Sequence, residues 1–154
     1  MSATGVVRFL AAVEPLGLTP EIREFDESTH TAADAAATIG CEVAAIVKSL
    51  VFEADGEPLL VLASGPNRVD TAALGARLGM AIGKADANSV KEASGYSIGG
   101  VPPLGLRNPM RTVCDETLLA LPVVWAAAGS ATAVFAIDPA LLVRLSGAEV
   151  LPIC

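Results

Sequence analysis

The first residue that invites chemistry is Lys48, set in the run Ile46-Val47-Lys48-Ser49-Leu50-Val51-Phe52. Strand alternation puts Ile46, Lys48, Leu50 and Phe52 on one face and Val47, Ser49 and Val51 on the other, so an ammonium shares an apolar face. A buried ammonium is costly unless an anion meets it. Three readings stand open: Lys48 sits near a strand end, it snorkels to water, or it is held for a ligand phosphate or carboxylate. The second candidate is Gly99-Gly100-Val101-Pro102-Pro103. Glycines let backbone N–H groups approach a ligand and consecutive prolines hold them rigid, which suits an oxyanion cradle for acyl transfer. A tight structural crossover would use the same spelling. Gly65-Pro66-Asn67-Arg68 and Gly129-Ser130 are turns first and site candidates second, each following a strand expected beside that of Lys48.

Other chemistry is thinly supplied. His30 is the single histidine and has no Ser or Cys at matching spacing, so it reads as a polar group ahead of a helix and not as a catalytic base. Cys41, Cys114 and Cys154 are far apart and form no C-x-x-C, which excludes a zinc or iron–sulfur site and argues against a disulfide framework. Cys41 and Cys114 read as buried small hydrophobes. With no secretory pattern at its start, the chain is expected in a reducing cytoplasm. No G-x-x-x-x-G-K is present, and the glycines at 95, 99, 100 and 105 do not follow a strand and open a helix, which disfavours nucleotide hydrolysis.

The elements that must position these residues are punctuated clearly. The chain has 154 residues, 53% hydrophobic and 18% charged, enough for a compact core of about one domain, taken as residues 1–154. Helices are expected over 4–16, over 31–39 behind Thr29 or Thr31, after Asp70 to Leu78, after Asp86 to Ser94, and from Asp138-Pro139 to Leu145. Val7, Leu10 and Ala11 would form the buried stripe of the first. Strands are expected at Ile22–Phe25, Ala44–Glu53 and Pro58–Ala63 around an Asp55-Gly56 hairpin turn, Met110–Cys114, Val123–Trp125 and Ala133–Phe135, the last two joined by a Gly-Ser turn. Between them lies Tyr96–Pro109, whose three glycines and three prolines exclude regular structure. Hairpins require antiparallel pairs, so the expected fold is a single α/β domain with a mixed, largely antiparallel, barrel-like sheet flanked by helices. Thr117–Ile137 carries no charge over 21 residues, the length of a membrane span, but Pro122, Gly129, Ser130 and Thr132 interrupt it and two buried strands fit better.

Charge bounds the partners. Ten Lys and Arg stand against 17 Asp and Glu, a net −7, which argues against DNA and other broad polyanion binding. Residues 1–57 hold ten acids and three bases while 58–154 hold seven of each, so a phosphate-bearing partner should approach the second part.

Taken in order, Ile46–Phe52, the Asp-Gly hairpin, Arg68-Val69-Asp70, Ser94-Gly95-Tyr96, Gly99-Gly100-Val101-Pro102-Pro103-Leu104-Gly105 and Ala128-Gly129-Ser130 resemble the YbaK/ProX family over about residues 29–145. That family comprises free-standing aminoacyl-tRNA deacylases and the related editing domain inserted in prolyl-tRNA synthetases. The resemblance implies hydrolysis of the ester at the 3′ end of a mischarged tRNA, frequently proline tRNA carrying alanine or cysteine, with no metal or other cofactor and with an aminoacyl-tRNA synthetase as a further partner. It places Lys48 on the terminal phosphate or ribose and the Gly99 and Gly100 amides on the aminoacyl carbonyl. It adds Ser49, Val101, Pro102, Pro103, Gly129, Ser130 and His30 as substrate-binding positions. An aminoacyl ester is already activated and needs positioning and oxyanion stabilisation more than a strong nucleophile, so the missing triad is no objection.

The spelling departs from both kinds of relative. Some cysteine-specific relatives carry Lys-Thr and Gly-Gly-Ile-Ser-Pro, and alanine-specific relatives tend to carry Asn after the lysine, where this chain has Ser49 and Val101-Pro102-Pro103. Two alternatives to a trans-editing deacylase stay open: a non-catalytic module that docks a tRNA end or a synthetase on the same scaffold, and a hydrolase of another small activated ester.

Overall fold

Side-chain caps start the helices where the sequence supplies them. The computed structural model describes residues 2–26 and 31–154, so His30 and Thr29 lie outside the described residues. Helix α1 spans Ser2–Val13 and runs into a 3₁₀ turn at Glu14–Leu16. Helix α2 (Ala32–Ile39) is capped by Thr31, whose Oγ1 accepts the Asp34 N–H at 3.0 Å. Asp70, Asp86 and Asp138 cap α3 (Thr71–Leu78), α4 (Ala87–Ser94) and α5 (Pro139–Ser146) in the same way. A glycine follows the last residue of each of these four helices.

The strands are β1 (Ile22–Glu24), β2 (Val47–Ala54), β3 (Glu57–Ser64), β4 (Ile82–Lys84), β5 (Arg111–Asp115), β6 (Val124–Ser130), β7 (Ala133–Ile137) and β8 (Glu149–Leu151). They form a five-stranded sheet ordered β4-β2-β3-β5-β8 and a three-stranded sheet ordered β1-β7-β6. The β3–β5 and β5–β8 ladders are parallel and the others antiparallel, giving the mixed, largely antiparallel α/β fold expected. The two sheets touch through a parallel bridge between Ile46 and Trp125 and do not close into one barrel. Asp55 and Gly56 join β2 to β3 with φ of +51° and +84°, the two positive values that a two-residue type I′ turn demands.

Alternation sorts the core into two faces. On β3, Leu60 and Leu62 point into the space between the sheets with Val47, Cys114, Ala126 and Phe135. Leu59, Val61 and Ala63 point the other way, toward Leu74 of α3, where Leu50 and Phe52 join them. Burial on both faces explains why β3 is apolar throughout Leu59–Ala63.

Three local expectations need correction. Helix α1 buries Val6, Phe9 and Val13, leaving Val7 and Leu10 in solvent. Its rotation is fixed by the Phe9 ring 4.9 Å from Phe135 and by a backbone approach in which a Cβ on Gly5 would collide with the Gly129 carbonyl. The β6–β7 turn falls at Ala131-Thr132, because Gly129 sits inside β6 at an irregular register between Ala127 and Ser130. Strands β4 and β8 were not expected, since three residues with exposed or half-buried side chains carry no alternation signal.

Candidate functional site

Strand β2 has β3 along one edge for its whole length, but on the other edge it meets β4 only from Phe52 to Ala54. Ile46 bridges to Trp125 just before β2 begins. Between these two attachments a cleft of about 500 Å³ opens, of the size that holds small ligands. Ala32 and Ala35 of α2, Trp125, Ala126 and Ala127 of β6, Ala133 and Val134 of β7, and the loop residues Ile98, Gly99 and Val101 wall it in. Small alanine side chains on three elements leave the room.

Lys48 lines this cleft and is half-buried, and its Nζ donates to the backbone carbonyl of Asn67 at 2.5 Å. Burial holds the Lys48 ammonium below the usual lysine range, the Arg68 guanidinium pushes it further down, and Asp115 opposes both. Of the three open readings, snorkelling to bulk water is replaced by a fixed contact with the Gly65–Arg68 turn. That turn is pinned in its place by Asp115, which sequence reasoning missed. The Asp115 carboxylate is 1% exposed, and it accepts the Ser64 N–H at 3.0 Å, the Asn67 Nδ2 at 2.8 Å and the Thr117 N–H at 3.0 Å. A carboxylate closing an apolar strand, with Thr two residues on, was the available signal.

The glycine-rich loop is anchored at its start. Ser94 Oγ donates to the Val90 carbonyl at 2.6 Å and accepts the Tyr96 N–H at 3.1 Å, and the Tyr96 hydroxyl donates to the Gly105 carbonyl at 3.1 Å. Arg8 of α1 lies over the Tyr96 ring and donates to the Gly95 carbonyl. Gly99, at φ +90°, takes the third position of a turn closed by the Gly100 N–H on the Ser97 carbonyl at 2.9 Å. The two glycines expected to donate to an oxyanion therefore differ. Gly99 lines the cleft; the Gly100 amide is spent in the turn, and its Cα packs against Ser130, where a Cβ would lie 2.9 Å from the Ser130 Cα.

The remaining expected positions divide in the same manner. Ser49, Val101 and Ser130 line the cleft with Lys48 and Gly99. Ser130 Oγ is 3.0 Å from the Thr132 hydroxyl and accepts the Thr132 N–H at 3.1 Å. Pro102 and Pro103 are buried behind the lining and do not reach it. Gly129 serves packing: at φ +98°, with its Cα against Gly5, it lets α1 lie on β6, and it borders a neighbouring hollow instead. Cys114, in the β5 core, has its thiol pushed up to about 12 by burial and by Asp115, which fits the reading of a small inert hydrophobe. Among the described residues no group of three His, Cys, Asp or Glu is placed to hold a metal ion, and no helix is long and apolar enough to cross a membrane.

Fold and site together define an α/β domain with a lysine-bearing, alanine-walled cleft between its two sheets. The aminoacyl-tRNA editing domain model matches residues 26–145, and the chain belongs to that family. A Bacillus subtilis (strain 168) relative, "Uncharacterized protein YwhH", is 31% identical over 131 residues, 84% of this chain and 83% of the relative. A proline–tRNA ligase of Desulfotalea psychrophila (strain LSv54 / DSM 12343) is 35% identical over 77 residues, 49% of this chain but 13% of the ligase. The crystal structure of a candidate trans-editing enzyme for prolyl tRNA synthetase superposes with a TM-score of 0.92 at 39% identity, covering 97% of this chain and 96% of that one. The family relationship ties the chain to aminoacyl-tRNA editing and to synthetases as a class.

Proposed function

We propose that this chain is a trans-editing deacylase, acting as one domain over residues 1–154, that hydrolyses the ester joining a wrong, small amino acid to the 3′ end of a tRNA, with proline tRNA carrying alanine or cysteine the first substrates to try. The observation that carries the reading is the cleft that brings Lys48, Ser49, Gly99, Val101 and Ser130 together in about 500 Å³. Alanine walls suit a small acyl group, and the kinship with a proline–tRNA ligase and with a candidate trans-editing enzyme supports the choice of tRNA.

The chemistry asks little of the side chains. In this scheme the terminal phosphate or ribose of the tRNA meets Lys48, whose half-buried charge has no acidic partner at hydrogen-bond distance among the described residues and is relieved by an anion. The acyl carbonyl lies toward the loop, with the Gly99 and Val101 amides as candidate oxyanion donors in place of the engaged Gly100 amide. Water attacks the carbonyl carbon, the ribose oxygen leaves, and a ribose hydroxyl of the substrate assists the proton transfer. His30 stays a substrate-binding position in this scheme, and the site of action is the cytoplasm.

The test is deacylation of a panel of charged tRNAs, with Ala, Cys, Ser and Thr on proline tRNA and on their own tRNAs, at low and high salt. Selective ester loss that weakens as salt rises is the expected result, since phosphate contacts release counterions. Binding of tRNA or synthetase with no ester loss for any member would replace the reading with a docking module. Salt-independent cleavage would replace it with a small-ester hydrolase.

A further inference from the structure

Between Ile46 and Phe52, no strand among the described residues pairs with the edge of β2 that faces away from β3. The two-residue turn at Asp55-Gly56 makes Ala54 and Glu57 a hydrogen-bonded pair, and the register then assigns Phe52↔Leu59, Leu50↔Val61 and Lys48↔Ala63 to the same class. The peptide groups of Val47, Ser49, Val51 and Glu53 must face away from β3. Two hydrogen bonds and the place of one proline agree with that parity. The Asp55 N–H donates across the other edge to the Ala81 carbonyl at 3.0 Å; Pro58, which has no N–H, stands opposite Glu53; and the Ser64 N–H turns from Val47 to Asp115. The Ile46–Trp125 bridge and the β4 ladder occupy the two ends of this edge. Ser49 is left in the middle, its N–H and carbonyl facing the cleft, and its buried Oγ has no hydrogen-bond partner among the described residues.

An α-aminoacyl ester carries a donor and an acceptor separated by one Cα, the pattern of a single residue in a strand. The open stretch 47–51 spans roughly 17 Å at about 3.3 Å per residue, room for one such group and the sugar attached to it. We propose that Ser49 pairs with the aminoacyl group as though it were one residue of an added antiparallel strand: the Ser49 N–H donates to the acyl carbonyl and the Ser49 carbonyl accepts from the α-amino group. The inference rests on the deacylase reading and names how that site recognises its substrate. The carbonyl keeps a second lone pair for the loop amides. Directly opposed residues place their side chains on one face, so an L-acyl side chain lies beside Ser49 Oγ, against Val101, Ala126 and Ala133. A D-acyl group pairing through the same two bonds would direct its side chain to the opposite face.

The experiment is a titration of ¹⁵N-labelled protein with 3′-deoxy-3′-(L-alanylamino)adenosine, a stable amide analogue of the aminoacylated tRNA end. The Ser49 amide proton should move downfield, and at a concentration about ten times Kd its solvent exchange should slow about tenfold, while the laddered Leu50 amide stays unchanged. The D-alanyl analogue, whose methyl turns away from Val101, Ala126 and Ala133, should need at least about tenfold higher concentration to move Ser49. Ser49→Pro removes an N–H that the β2–β3 ladder does not use, and it should lower deacylation of L-alanyl-tRNA about tenfold with the fold retained. Binding of the L-analogue with an unmoved Ser49 amide, or equal hydrolysis of L- and D-alanyl-tRNA, overturns this pairing and leaves the deacylase reading standing. Failure of the analogue to bind, together with no hydrolysis of any charged tRNA, overturns both.

Discussion

Replacing Asp115 with Ala tests the scaffold behind Lys48. The substitution leaves the Ser64 N–H without a partner at a residue that is 0% exposed, and an orphaned buried donor costs about 1–3 kcal/mol. The Asn67 amide and the Thr117 N–H lose the same acceptor but lie nearer water, adding about 0.5–1 kcal/mol each. The expected loss is about 2–5 kcal/mol, which at a urea slope of about 2 kcal/mol/M lowers the unfolding midpoint by about 1–2.5 M. Asp115→Asn should fall between, because it keeps one acceptor oxygen but turns an NH₂ toward other donors. A second readout is independent of stability. Asp115 is the group that raises the Lys48 pKa against burial and Arg68, so in Asp115→Asn the Lys48 amine should titrate at still lower pH, followed by ¹⁵Nζ chemical shift. A midpoint within about 0.3 M of wild type, or a Lys48 titration that moves upward, would refute the reasoning.

Further expectations follow from the same contacts. Lys48 has its pKa lowered below 10.5, so the unfolded chain holds that proton more tightly; the resulting penalty is present in full at neutral pH and fades as pH climbs through the interval between the lowered value and 10.5. Lys48→Met should therefore raise the urea midpoint at pH 7 and raise it less in strongly alkaline buffer; a lower midpoint at pH 7 would contradict this. Gly129→Ala puts a Cβ into the Gly5 carbonyl at φ +98° and should cost about 2–4 kcal/mol by thermal unfolding, whereas Gly17→Ala, with open space at φ +79°, should cost about 1 kcal/mol. In native protein at pH 8, a thiol reagent should modify the exposed Cys154 rapidly and leave Cys114 untouched until the chain unfolds.

What was legible in the sequence was local. Thr31, Asp70, Asp86 and Asp138 announce their helices because a cap and the amide it bonds are two or three residues apart. Lys48 stands out because strand alternation is a nearest-neighbour property. Asp115 does not, because its partners Ser64 and Asn67 lie 51 and 48 residues away and nothing near Asp115 marks them. The glycine loop was legible as a costly, rigid segment, but which of its amides remains free depends on the turn that Ser97 and Gly100 close. The face of α1 was misread because Val6, Val7, Phe9 and Leu10 offer two apolar stripes, and the choice was made by Phe135 and Gly129, more than a hundred residues away.

The central claim is that the cleft of Lys48 removes an amino acid from tRNA. Its most direct test is single-turnover deacylation of alanyl- and cysteinyl-tRNA specific for proline by the wild-type chain and by Lys48→Ala, with the fold of the variant checked by its urea midpoint. The account predicts ester loss with the wild type and none above the uncatalysed rate with a folded Lys48→Ala. Undiminished hydrolysis by that variant would contradict it.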